Sequence, residues 1–318
     1  ENRMKALLPV PYFHVVFTLP HDLNPLILCN KTKLLGLLFE SVNWVLTAFA
    51  KDRKWRLEGQ IGFIAVLHTW SQTLMDHFHL HCLVPAGALS SDEKTWKKTR
   101  NKFLFGIASL AKAFKRRYIR GFKRLYQKNE LSFPGHLQRF ASLFSFSRLI
   151  NDLQGKNWIA YAKRPFAGPD QVLNYLGRYT HRVSIYNNRI LSIDYGQVLF
   201  SYRDRTDDNR QKQMTLSADE FIRRFLLHVL PDGFVKIRYF GFLSHRNKKR
   251  CIPLIRNLID PSANHPEKIK ETAAQTMLRG TGIDITCCPR CKQGRMRKWA
   301  AILKEPAKGL CIHRIDSS

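Results

Sequence analysis

Residues 62–84 read GFIAVLHTWSQTLMDHFHLHCLV, and this stretch decides the fold. Two apolar runs, 62–70 and 77–84, flank a short polar connection, which is the pattern of a β-hairpin. In the second run His77, His79 and His81 alternate with Phe78, Leu80 and Cys82. Strand side chains alternate between faces, so the three imidazoles share one face and the apolar residues take the other. A lone strand histidine is explained by packing, but a triplet on one face points to metal binding. A His-hydrophobe-His pair sets the spacing of two donors and leaves other metal positions to substrate oxygens. With a turn centred near Thr73 and Leu74, His68 falls opposite about Leu80, within reach of the same site as a third ligand.

Outward from the hairpin, YFHVVFTLP (11–19) reads as a buried strand stopped by Pro20. Leu35, Leu38, Phe39, Val42, Val45, Leu46 and Phe49 recur at helical spacing, predicting an amphipathic helix over 34–50. Residues 94–128 hold 13 Lys or Arg, with Phe103, Ile107, Leu110, Phe114, Tyr118, Phe122 and Leu125 every three or four positions. That is a helix with one core face and one basic face. Arg116, Arg117 and Arg120 on the basic face are candidate phosphate contacts; Trp96, Phe105 and Tyr118 are candidate stacking partners for bases, with core packing the favoured role for Phe105 and Tyr118. Further along come a polar helix (136–153), a strand (158–166), and a helix opening at Gly168-Pro169-Asp170. Two β-like runs, a capping box at Ser217-x-x-Glu220, a strand FVKIRYFGFL and a basic helix RNKKRCIPLIRNLI follow. Strands and helices mix without regular βαβ alternation, so the expected class is α+β.

Length and charge narrow the function. The 318 residues suffice for a sizeable core, and 53 Lys plus Arg against 24 Asp plus Glu leave a net charge of +29. Such an imbalance repels itself and calls for a polyanionic partner, with nucleic acid ahead of an acidic membrane. No uncharged apolar run reaches the roughly 18 residues of a spanning helix, so no membrane partner is expected. No signal peptide is visible, and the seven unevenly spaced cysteines do not form a disulfide framework; a reducing, cytoplasmic setting is expected.

Tyr175 and Tyr179 stand four residues apart on the 168–181 helix and share a face. Aromatic packing alone would explain that spacing. Arg178, His181 and Arg182 crowd the same turn, however, and Lys163 and Arg164 precede it. A phenol among cations can approach a phosphodiester and be activated as phenolate.

Taken together, these residues resemble a known family. HFHLHCLV is similar to the metal-binding motif of HUH endonucleases, and YLGRYTHRVSI to the paired-tyrosine motif of the two-tyrosine HUH transposases of rolling-circle insertion sequences. LLPVPYFHVVFTLP, AVLHTWSQTL and VKIRYFGFLSHR extend the resemblance over about residues 7–260. It implies a central antiparallel sheet with flanking helices and a basic helical insertion. It also implies a catalytic domain over 1–200 with the insertion at 91–155, an α/β extension over 201–260, and a linker and basic tail over 261–318. Family members begin with a cysteine-rich zinc-binding domain, and this chain starts after the place where that would end.

The implied activity is metal-dependent cleavage and transfer of single-stranded DNA at mobile-element ends into target DNA, in a bacterial-type cytoplasm at the nucleoid. His79, His81 and His68 would hold Mg²⁺ or Mn²⁺, and Tyr175 or Tyr179 would attack the phosphorus to leave a 5′-phosphotyrosine. Lys163, Arg164, Arg178, Arg182, the α-helical Arg116, Arg117 and Arg120, and Arg246, Lys248, Lys249 and Arg250 would form one basic channel leading to the metal. A plasmid relaxase or rolling-circle replication initiator shares this chemistry, and a non-catalytic nucleic-acid-binding remnant is the rival of another class. Near the end, Cys288-Pro-Arg-Cys291 has the spacing of half a zinc ribbon, with Cys311 and His313 as downstream ligands and free thiols in a basic tail as the alternative.

Overall fold

The computed structural model describes residues 7–99, 104–166 (backbone only over 163–166), 172, 185–204, 207–262, 272, 274–275, 277–278 and 284–296. Internal contacts divide the chain into two units, 1–262 and 263–318.

The first unit is built on a five-stranded sheet in the order β11-β3-β4-β1-β7, every neighbouring pair antiparallel. Its strands are β1 (Tyr12–Thr18), β3 (Gly62–Trp70), β4 (Asp76–Pro85), β7 (Ile159–Phe166) and β11 (Ile237–Gly241). The mixture of this central sheet with packed helices is the α+β architecture expected. The histidine strand β4 lies in the middle, flanked by β3 and β1. β3 is buried along nearly its whole length, which explains why it reads as a continuous apolar run rather than an alternating one.

One face of the sheet is apolar throughout. Phe13, Val15 and Phe17 of β1, Phe63, Ala65 and Leu67 of β3, and Phe78, Leu80 and Cys82 of β4 form a core with three helices. These are α2 (Lys31–Lys51), α3 (Ile107–Gln127) and α4 (Leu143–Gly155), which follow a short α1 (Asn24–Cys29). α2 is long and apolar enough to cross a membrane by length and composition, but ten of its side chains are buried against the sheet and α3. The two helices approach closely at Gly121, where any β-carbon would meet the Leu37 side chain. Phe114 packs edge-on against Phe17 and Trp158, and the buried Tyr118 hydroxyl donates to the Leu34 carbonyl at 3.2 Å.

Several boundaries depart from the sequence expectation. The basic stretch 94–128 is not one helix: Trp96–Lys98 form strand β6, paired with β5 (Gly87–Ser90), and the helix begins at Ile107. β5 also pairs with β2 (Gly59–Gln60) in a small three-stranded sheet. Phe105 and Tyr118 are core residues, the role favoured from sequence, and the half-buried Trp96 packs edge-on against Phe242. A further sheet holds β8 (Ile190–Asp194), β9 (Gln197–Asp204) and β10 (Arg210–Ser217). β10 is too polar to have been read as a strand; it is an exposed edge whose partner β9 supplies the buried residues. Half of the expected capping box forms: the Glu220 amide donates to Ser217 Oγ at 3.3 Å at the start of α5 (Ala218–Leu227), while the Glu220 carboxylate pairs with Arg223 and Arg224 instead of reaching back. The last helix of the unit is α6 (Lys248–Ile259).

Candidate metal centre

Strand register puts the histidines together. His68 pairs directly with His79, and His81 with Val66. The expected partner of His68, about Leu80, is therefore off by one residue: Leu80 pairs with Leu67, and the ladder is irregular between His68 and Trp70. The difference matters, because a one-residue slip would send His68 to the apolar face. The actual register places it with His79 and His81. One donor nitrogen from each lies within 4.8 Å of the others, the only such group of three or more metal-ligating side chains among the described residues. Ring centroids stand 4.1 Å apart for His68 and His81, 4.8 Å for His79 and His81, and 5.1 Å for His68 and His79.

Hydrogen bonds fix which nitrogen each ring presents. His79 Nδ1 lies 2.7 Å from the His77 carbonyl, which can only accept, so the proton sits on Nδ1 and Nε2 is the nitrogen that carries the lone pair. His81 Nδ1 lies 2.7 Å from Nε2 of His14, a buried histidine of β1, which leaves His81 Nε2 as the donor to the site. Imidazole ligands in metal centres are held by this kind of bond at the other ring nitrogen. The donor set therefore fits a divalent cation. His77 shares the face but lies outside the triad: its ring stacks on His21 at 5.3 Å, and its backbone carbonyl orients His79. Trp70 stacks on the outer side of His68, at 5.5 Å and 6°. The Cys82 thiol points to the apolar core, where burial pushes its pKa up, so it is a packing residue.

His14 was not singled out from sequence. The signal was present: it is the one imidazole inside the apolar run YFHVVFT. Its partner could not be read without the register between β1 and β4.

The same face carries a second core, built on Tyr12, Ile64, Val66 and Leu83 and covered by Cys251, Ile252 and Ile255 of α6. Val172 is fully buried in it. Tyr175, Tyr179, Arg178 and Arg182 lie outside the described residues. Register places Lys163 of β7 opposite His14 and Tyr161 opposite Val16, on the histidine face; Arg164 is also in β7. Tyr161 is half-exposed there.

Among the described residues, the basic side chains of α3 and those at the start of α6 lie on opposite faces of the sheet and do not form a single channel. α3 packs Phe114, Tyr118 and Phe122 into the core on the opposite face of the sheet, so exposed Arg116 and Arg120 and half-buried Arg117 project away from the histidines. Arg117 instead lies over the Trp44 ring, 5.2 Å from its centroid. Arg246, Lys248, Lys249 and Arg250 lie at the start of α6, on the histidine side. Arg250 is paired with Glu93, whereas Arg246, Lys248 and Lys249 make no ion pair among the described residues.

In the second unit, Cys288 and Cys291 lie on a short turn between Thr286 and Met296.

The family model Y2_Tnp, described as "Putative transposase", matches residues 62–250, a span that takes in the histidine hairpin, the two tyrosines and the Arg246–Arg250 run. A "Putative transposase y4qJ" of Sinorhizobium fredii is 42% identical over 301 residues, covering 93% of this chain and 75% of that protein. The transposase for insertion sequence element IS801 of Pseudomonas savastanoi pv. phaseolicola is 30% identical over 249 residues, covering 77% of this chain and 57% of that protein. No solved structure gives a significant match. With the family model matching more than half of its length and a relative matching nearly all of it, the chain belongs to the Y2_Tnp family of transposases and is a DNA-processing enzyme.

Proposed function

We propose that this transposase cuts and rejoins single-stranded DNA at the ends of a mobile element, by rolling-circle transposition, through a tyrosine nucleophile beside a histidine-held metal ion. The observation that carries the reading is the convergence of His68, His79 and His81 on one face of the central sheet. Bound there, Mg²⁺ or Mn²⁺ supplies Lewis-acid polarisation of a scissile phosphodiester. Imidazole donors suit Mn²⁺ better than Mg²⁺. The three rings hold the ion, and His14 and the His77 carbonyl hold two of the rings.

Tyr175 or Tyr179 attacks the phosphorus: the phenol oxygen forms a bond to it, the bond to the 3′-oxygen breaks, and that oxygen takes up a proton. A 5′-phosphotyrosine and a free 3′-OH result. The covalent link conserves the free energy of the broken bond, so rejoining needs no nucleoside triphosphate. Support for this placement comes from Val172, buried on the histidine face. Tyr175 follows it by three residues, which span at most about 11 Å. Two tyrosines one helical turn apart could hold two 5′ ends during exchange. Lys163, Arg164, Arg178, Arg182 and the Arg246–Lys249 run are assigned to the DNA backbone. Residues 1–200 are assigned as the catalytic domain, 201–260 as its extension and 261–318 as the tail.

The test is cleavage of a labelled single-stranded DNA pool in Mn²⁺. The His79→Ala, His81→Ala double variant should lose both cleavage and Mn²⁺ binding while keeping the wild-type far-UV spectrum. Undiminished cleavage by the folded double variant would overturn the metal assignment.

A further inference from the structure

The second unit carries a feature that strand cleavage does not use. Residues 286–296 fold back on themselves: the Met296 amide donates to the Thr286 carbonyl at 2.7 Å, and Cys287 bridges to Arg295. Inside that hairpin the Cys288 amide donates to the Gly294 carbonyl at 2.7 Å, and the Lys292 amide to the Cys288 carbonyl at 2.9 Å. Lys292 takes a left-handed conformation, with φ of 57°, which turns the chain so that the Gly294 amide donates to Cys291 Sγ at 3.3 Å. A β-carbon at Gly294 would stand 3.4 Å from Cys291 Sγ and 3.8 Å from the Cys288 β-carbon, so the glycine closes over the cysteine pair. Cys287 is turned elsewhere, its thiol donating to the Lys292 carbonyl at 3.1 Å.

We propose that Cys288 and Cys291 are two ligands of a structural zinc site in this unit. Backbone amides aimed at a sulfur stabilise thiolate, the form that binds metal. Paired thiolates two residues apart select soft or borderline cations, and a closed zinc site takes four such donors. Binding zinc there releases the protons of the ionising thiols to solvent. The site is separate from the histidine triad in chemistry as well as in sequence: one offers sulfur donors, the other nitrogen donors.

That difference makes the test clean. Cobalt(II) added to the reduced, metal-free full chain should produce a thiolate-to-cobalt charge-transfer band in the near ultraviolet, which imidazoles alone cannot give. The band should be bleached by stoichiometric zinc and retained in the His79→Ala, His81→Ala variant. It should vanish in Cys288→Ser, Cys291→Ser, a variant that keeps Mn²⁺ binding at the histidines as its check on folding. No band in the wild-type chain with its thiols titrated as free, or a band that survives the double serine change, would overturn the proposal. Because the histidine variant is read in parallel, failure here is distinct from failure of the strand-cleavage reading.

Discussion

His14 shows how one residue ties the centre together. It is buried on β1, and its Nε2 lies 2.7 Å from the nitrogen of His81 that faces away from the triad. Removing it takes away the bond that orients the His81 ring and leaves a buried donor without this acceptor. His14→Ala should therefore weaken Mn²⁺ binding by about 10–100-fold, the usual loss when such an orienting bond is cut. His14→Gln, which keeps an acceptor at the end of a flexible side chain, should recover part of that loss. Calorimetric titration of the three proteins decides it, and equal affinities would mean that the bond does not orient His81. The residues of the triad were legible because period-two alternation is a strong signal. His14 was not, since a single histidine in an apolar strand has many explanations until its cross-strand neighbour is known.

At the scale of elements, the hairpin, the buried first strand and the amphipathic helices could all be read from periodicity. What periodicity cannot give is the side of the sheet on which a helix lands. Phe114, Tyr118 and Phe122 announce that α3 has a core face, and the arginines that its other face is wet. Only the parity of Phe13, Val15 and Phe17 against His14 shows that α3 and the metal centre lie on opposite faces. The two basic elements should then behave differently. Arg246→Glu, Lys248→Glu, Lys249→Glu should weaken single-stranded DNA binding. It should also flatten the log–log salt slope by about 2, since each phosphate contact contributes about 0.7 for single strands. Arg116→Glu, Arg117→Glu, Arg120→Glu should change the slope less. Fluorescence-anisotropy titrations across a salt series compare them, and a larger effect from the α3 variant would mean that DNA follows the helical layer instead.

For the whole molecule, the proposed function assigns the holding of DNA to the net charge of +29 and its cutting to the histidine face. Phosphate contacts position a strand without reading its sequence, whereas chemistry needs a nucleophile aligned at one phosphorus. The account's central claim is that this nucleophile is Tyr175 or Tyr179. The most direct measurement incubates the full chain with a 3′-labelled single-stranded DNA pool in Mn²⁺, resolves covalent adducts on denaturing gels and maps them by peptide mass spectrometry. The account predicts a labelled adduct on Tyr175 or Tyr179, reduced by either Tyr→Phe change and absent from the double variant. An adduct that persists in the double variant, and maps to Tyr161 on the histidine face or to Tyr186, would contradict it.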